Sequence, residues 1–206
     1  MTEKRTIHVV DDDASFRTAV TRLLRAAKYE VRGYASAAEF VDSDPGAAPG
    51  CILLDLRMPG ASGFDLQQSL AQMEERLPII FLTGHGDIPA SVRAMKAGAV
   101  DFLTKPVKRE TLLRAVQNAL ERDATERKSR AILRELRERY ETLTTREREV
   151  LSHVVSGKLN KQTAFDLGTS ERTIKAHRAS IMDKLGVQSV AELARLAQQL
   201  GIEPAR

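Results

Sequence analysis

The chain has one cysteine, Cys51, so no internal disulfide forms, and a thiolate-based zinc or iron–sulfur site would need more sulfur ligands. No apolar run approaches the ~18 residues that cross a bilayer. The opening MTEKRTIHVV lacks the apolar core of a secretory signal. These absences predict no membrane partner and a soluble protein of a reducing compartment, the cytoplasm. The four histidines, His8, His85, His153 and His177, are scattered and suggest no metal cluster. His85, in the loop after the fourth strand, reads equally as a switch contact or an exposed loop residue. A large charge excess is also missing: 32 basic against 28 acidic residues leave +4. That sum alone decides nothing, but its location is informative. Residues 1–120 carry 15 of each sign, whereas 121–206 carry 17 basic and 13 acidic residues. A neutral half joined to a basic half suggests a regulatory or catalytic module tethered to an anion-binding one.

A hydrophobic share of 42% is ample for ordinary cores, and 206 residues allow one large domain or two small ones. Short aliphatic runs, Ile7-His8-Val9-Val10, Cys51-Ile52-Leu53-Leu54, Ile79-Ile80-Phe81-Leu82 and Asp101-Phe102-Leu103, with a weaker one at Glu30-Val31, alternate with helical patterns such as Phe16, Val20, Leu23, Leu24 and Ala27. Continuous apolar runs between helices mark a parallel sheet covered on both faces, here an α/β, doubly wound (βα)5 domain over 1–122. Cys51 reads as a small core residue. The stretch ERDATERKSR has no Gly or Pro and reads as extended helix, giving a helical linker over 123–142. Within it Leu133, Leu136, Tyr140 and Leu143 recur at 3-4-3 spacing. That stripe fits a short coiled coil between protomers and fits equally a helix packing on its own domain. From 143 to 206 the pattern predicts four short helices. Thr144-x-x-Glu147 and Ser189-x-x-Glu192 read as capping boxes, Ser170 as a further N-cap, and Gly157, Gly168, Gly186 and Gly201 as helix stops.

Functional groups of a doubly wound sheet collect at the carboxyl ends of its strands. There the first strand ends in Asp11-Asp12-Asp13, the third in Asp55 and the fourth in Thr83, and the fifth is followed by Lys105-Pro106. Clustered carboxylates are unstable unless some protonate or a cation neutralises them, and a hard ion, Mg²⁺, suits oxygen ligands. In such a pocket Asp55 can act as nucleophile toward a phosphoryl group. Lys105 and the ion would neutralise its oxygens while Thr83 binds another. Asp13 alone is explained by capping the first helix.

VVDDDAS, ILLDLRMPGASGFDL, FLTGHGD and AMKAGAVDFLTKP together resemble the receiver domain of two-component response regulators over residues ~5–122. The resemblance implies a flavodoxin-like fold and phosphorylation at Asp55 by a sensor histidine kinase. It implies Mg²⁺ held by Asp12, Asp55 and the backbone carbonyl of Arg57, with Asp11 acting through water, and a cis Lys105-Pro106 bond. Phe102 stands at the family's switch-aromatic position. On phosphorylation, Thr83 would move toward the phosphate and Phe102 inward, making the neighbouring helix-4/strand-5 surface a homodimer interface. There Val92 would supply apolar contact and Lys96 would pair with Asp101 of the partner.

LTTREREVL, NKQTAFDLGTSERTIKAHRASIMDKLGV and SVAELARLA resemble the LuxR-type helix-turn-helix module. With the receiver, they make the chain resemble the FixJ/NarL group of response regulators, FixJ-like branch. The recognition helix would run from Ser170 to about Leu185, with Ile174, Ile181 and Leu185 inward. Lys175 and Arg178 are candidates for guanine or phosphate, and Ala176 for a thymine methyl. Asn160, Lys161, Ser170, Arg172 and Thr173 are candidates for phosphate contacts. Thr163 and Thr169 stand where the family usually has an aliphatic residue. The expected partners are a sensor histidine kinase, a double-stranded DNA operator with two half-sites and RNA polymerase. Activation by dimerisation, by unmasking of the recognition helix or by both stays open. A dehalogenase-type phosphatase needs an acid two residues after its nucleophile, but Arg57 stands there, so no enzyme activity is expected. A protein-binding adaptor is disfavoured by the ordered helix-turn-helix match.

Overall fold

A computed structural model describes residues 5–45, 48–72, 76–84 and 88–205. The chain divides into two compact units, 1–126 and 127–206. In the first, the elements run β1 (Thr6–Val10), α1 (Ala14–Ala26), β2 (Glu30–Tyr34), α2 (Ala37–Asp42), β3 (Gly50–Leu54), α3 (Gly63–Leu70), β4 (Ile79–Thr83), α4 (Ile88–Lys96) and β5 (Asp101–Thr104). The five strands form one parallel sheet in the order β2-β1-β3-β4-β5. The α/β, doubly wound fold expected of this half is therefore present. His85, with its two possible readings, lies outside the described residues.

The apolar runs are continuous because alternate residues serve opposite faces of the sheet. Ile7, Val9, Leu53, Ile80 and Leu82 pack with Val20 and Leu24 of α1 and with Leu112, Val116 and Leu120. The intervening Val10, Ile52, Leu54 and Phe81 pack with Phe40 of α2, Leu66 and Leu70 of α3, and Ala94 of α4. Cys51 is buried in the first of these layers. Asp13 caps α1, its side chain accepting from the N–H groups of Ser15 and Phe16 at 2.9 and 3.1 Å.

Helix α5 runs unbroken from Arg109 to Glu141, 33 residues. In its first-unit portion, buried Asp123 accepts from the Gly50 N–H at 3.0 Å, tying the helix to the start of β3. Near its other end, Leu136 and Tyr140, with the following Leu143, pack into the core of the second unit. Of the two readings of that stripe, packing on its own domain describes these three residues. Leu133 stands outside the cluster.

The second unit adds α6 (Thr145–Val155), α7 (Asn160–Asp166), α8 (Glu171–Leu185) and α9 (Val190–Leu200). Ile174, Ile181 and Leu185 of α8 are buried against Val150, Leu151 and Val154 of α6 and Leu193 and Leu196 of α9. The Thr144–Glu147 capping box forms in full. Glu147 also accepts from Lys184 Nζ and Ser180 Oγ, both at 2.7 Å. The lysine first, then Ser180 and Thr144, hold its carboxyl at about 2 against the opposing effect of burial. At Ser189 only half the expected box exists: its side chain accepts from the Glu192 N–H, while the Glu192 carboxylate reaches back to the Gln188 N–H at 2.9 Å. Gly157, Gly168, Gly186 and Gly201 all take positive φ at helix ends. Thr163 is fully buried, and its hydroxyl has no hydrogen-bond partner. An aliphatic residue there would have left no such polar atom inside. Among the described residues no helix is long and apolar enough to cross a membrane.

Candidate functional site

The sheet order reverses at β1, which lies between β2 and β3, and such a switch point opens a crevice at the strand carboxyl ends. Backbone bonds set the residues that line it. The Asp11 N–H donates to the Tyr34 carbonyl at 3.1 Å, Asp55 N–H to Val10 at 2.9 Å and Lys105 N–H to Thr83 at 2.9 Å. Asp11, Asp12 and Asp55 each bring a carboxylate oxygen to within 4.8 Å of the other two. Lys105, before a cis Pro106, reaches back across the pocket. Its ammonium donates to Asp11 Oδ2 at 2.6 Å and Asp55 Oδ2 at 3.0 Å.

One ammonium thus bonds two of three clustered carboxylates. Burial raises the pKa of Asp11 above its usual value, outweighing the Lys105 bond that favours ionisation, and the charge of Asp55 adds to the rise. Burial works the other way on Lys105, but its bonds to Asp11 and Asp55 outweigh it and raise its pKa. This surplus of negative charge, with Asp12 open to solvent, fits a divalent cation with oxygen ligands.

Thr83 is buried at the end of β4. Phe102 is half-buried, packed against the second-face core with its ring 6.0 Å from that of Phe81. Arg57 is exposed, and its N–H approaches Asp55 Oδ1 at 3.4 Å. Val92 and Lys96 are exposed on α4. Asp101 is half-buried and accepts from the Phe102 N–H at 2.8 Å, so its carboxylate is partly engaged at home.

In the second unit α7 and α8 form a helix–turn–helix. Ser170 caps α8, accepting from the Thr173 N–H. Lys161, Ser170, Arg172, Thr173, Lys175 and Ala176 are exposed. Arg178 and Asn160 differ: both are half-buried, and Arg178 Nη1 donates to Asn160 Oδ1 at 2.8 Å. Two side chains expected to contact nucleic acid separately are therefore joined across the two helices.

The family described as response regulator receiver domain matches residues 7–117, and the luxR family of bacterial regulatory proteins matches 141–197. The chain belongs to the response regulators. The response regulator TmoT of Ectopseudomonas mendocina is 44% identical over 198 residues, covering 96% of this chain and 90% of its own. The transcriptional regulatory protein FixJ of Bradyrhizobium diazoefficiens is 39% identical over 202 residues, covering 98% of each. Among solved structures, response regulator StyR aligns with a TM-score of 0.81 at 44% identity, over 95% of this chain and 99% of that one. Full-length FixJ from B. japonicum aligns at 0.59 and 38% identity, over 98% and 99%. As a response regulator with a receiver and a LuxR-type DNA-binding domain, the chain is a transcriptional regulator of the two-component type, with a histidine kinase upstream and DNA as its target.

The pocket of this response regulator also contains residues that sequence reasoning left out. Phe16 reads as part of the apolar stripe of α1, yet Lys105 Nζ lies 4.1 Å from its ring centre. Arg17, one residue on, donates to the backbone carbonyl of Asp11. Gly63 opens α3 against the backbone that follows β3, and a Cβ there would collide with the Asp55 carbonyl. Only for Gly63 was there a local signal, a glycine just after the Ser62 N-cap of a helix.

Proposed function

We propose that Asp55 is the phosphoacceptor, and that its phosphorylation by a sensor histidine kinase turns on operator binding by the helix-turn-helix. The observation that carries this is the Lys105 ammonium, held between the carboxylates of Asp11 and Asp55 at 2.6 and 3.0 Å. A cation fixed beside a carboxylate nucleophile stabilises charge that develops on a transferring phosphoryl group. An Asp55 carboxylate oxygen bonds to phosphorus as the P–N bond of the kinase phosphohistidine breaks, and the imidazole leaves with the electron pair. Lys105 then neutralises one phosphoryl oxygen, and the Thr83 hydroxyl donates to another.

Asp12, Asp55 and the Arg57 carbonyl would hold Mg²⁺, with Asp11 acting through water. The bound ion supplies positive charge to the phosphoryl oxygens. Once Thr83 has turned toward the phosphate, Phe102 fills the space beside Phe81, and the face carrying Val92, Lys96 and Asp101 pairs two receivers. Working boundaries are a receiver over 1–122, a helical linker over 123–142 and a DNA-binding domain over 143–206. On the operator, Lys175, Ala176 and Arg178 face base edges or phosphate, while Asn160, Lys161, Ser170, Arg172 and Thr173 contact the backbone. A dimer on two half-sites makes up for the few phosphate contacts of one small module. Because it regulates transcription, the protein acts in the cytoplasm, with RNA polymerase as a further partner, and carries no turnover chemistry.

Operator binding measured with and without acetyl phosphate tests the switch. Wild type gains affinity and Asp55→Asn does not. Full stimulation of Asp55→Asn would refute the mechanism. Sedimentation with beryllofluoride checks dimerisation, and a species that stays monomeric counts against the paired receivers.

A further inference from the structure

We infer that Phe16 is a positioning residue for phosphoryl transfer, its aromatic face holding the Lys105 ammonium at the point where a phosphoryl oxygen arrives. This rests on the assignment of Asp55 as phosphoacceptor and adds a residue to that site. A lysine ammonium sits on a flexible four-carbon stem with three donors. Two of these are engaged by Asp11 and Asp55. The ammonium also stands 4.1 Å from the centre of the Phe16 ring, within the range where a cation is attracted to an aromatic face. The two carboxylates and the ring therefore all meet the Lys105 ammonium, whose side chain is 16% exposed.

The ring comes from α1, whose entry is set by the Asp13 cap directly after the acidic run. The turn that presents the acids thus also presents the aromatic. Phe16 is only half-buried, at the margin of the core that Val20 and Leu24 fill. Leucine at this position would keep the apolar packing and lose the π face. When phosphate forms on Asp55, Lys105 must release that carboxylate oxygen and engage a phosphoryl oxygen. The ring holds the ammonium in place during this exchange, which favours the transition state over conformers in which the lysine swings out.

The test uses the full chain with Mg²⁺ and phosphoramidate, following Asp55 loading by intact-mass spectrometry. Phe16→Leu should load about two- to thirty-fold more slowly, the range spanned by cation–π strengths from exposed to desolvated sites. Phe16→Tyr should restore most of the rate. In the unphosphorylated protein, the ε-methylene protons of Lys105 should show an upfield ring-current shift that Phe16→Leu removes and Phe16→Tyr keeps, which reports directly that the ring lies against the lysine, while the loading rates of the two variants read its effect on transfer. Wild-type loading by Phe16→Leu would overturn the inference, as would Phe16→Tyr being as slow as Phe16→Leu, or an unshifted Lys105 resonance in wild type. If wild type takes up no phosphoryl group, the phosphoacceptor assignment itself falls and this inference falls with it. That result is distinguishable because it appears before any variant is compared.

Discussion

Acidification between pH 7.5 and 5.5 should weaken the receiver through one buried side chain, His8. This histidine occupies the middle of β1, almost wholly buried. Its Nδ1 lies 3.0 Å from the Tyr34 hydroxyl, its ring stacks on Tyr34 and meets Phe40 edge-on, and its Nε2 has no partner. Burial, and next the charge of Arg32 opposite it on β2, lower its pKa from 6.5 to about 4. The unfolded chain therefore takes up a proton before the folded one does, so this contribution to stability is complete above pH 6.5 and is lost as pH falls toward 4. From these two values the loss between pH 7.5 and 5.5 is about 1.3 kcal/mol, and the limit below pH 4 is about 3 kcal/mol. Most carboxylates stay ionised over the upper interval, and a variant lacking His8 separates this histidine from the other three. Urea unfolding followed by tyrosine fluorescence reads the receiver, because Tyr29 and Tyr34, two of the three tyrosines, lie there. The substitution His8→Phe removes the titrating group and should flatten the dependence, whatever it does to absolute stability. A wild-type stability unchanged between the two pH values, or the same slope in His8→Phe, would refute the argument.

Which features the sequence revealed follows from how far each depends on long-range geometry. The strands were legible because both faces of the sheet are covered, so β3 and β4 read as unbroken apolar runs, and β1 as one interrupted only by His8, although alternate residues face opposite layers. The acidic pocket was legible because Asp11, Asp55 and Lys105 each follow a strand, and strand order brings such positions together. Phe16 was not, because an apolar residue on an amphipathic helix looks the same whether it touches core or a lysine. Spacing could not settle the Leu136–Tyr140–Leu143 stripe either, since a coiled coil and a local core demand the same pattern, and only the positions of α6 and α8 decide. The bond between Arg178 and Asn160 joins residues 18 apart, which no local motif reports. Capping at Ser189 failed by one residue: Gln188 and Ser189 present adjacent N–H groups, and Glu192 took the first.

Three further perturbations follow from the same geometry. Thr163→Val removes a buried hydroxyl that has no partner while keeping its shape, so it should stabilise the DNA-binding unit by about 1 kcal/mol, a calorimetric rise of roughly 4–8 °C. An unchanged or lower melting temperature would refute this. Gly63→Ala forces a methyl group onto the Asp55 carbonyl and should destabilise the receiver in urea by about 1–3 kcal/mol, despite the better helix propensity of alanine. In the DNA-binding unit, Asn160→Ala and Arg178→Ala should each weaken operator binding, but their effects should not add. If the two side chains met the operator independently, the double variant would lose the sum of the single losses within about 0.5 kcal/mol. Because Arg178 donates to Asn160 at 2.8 Å, removing either frees the other, so the second deletion acts on a contact already disturbed. A binding titration of all four proteins should therefore show coupling above that limit. Additive losses would mean that the Arg178–Asn160 bond opens on the operator and that each side chain meets DNA alone.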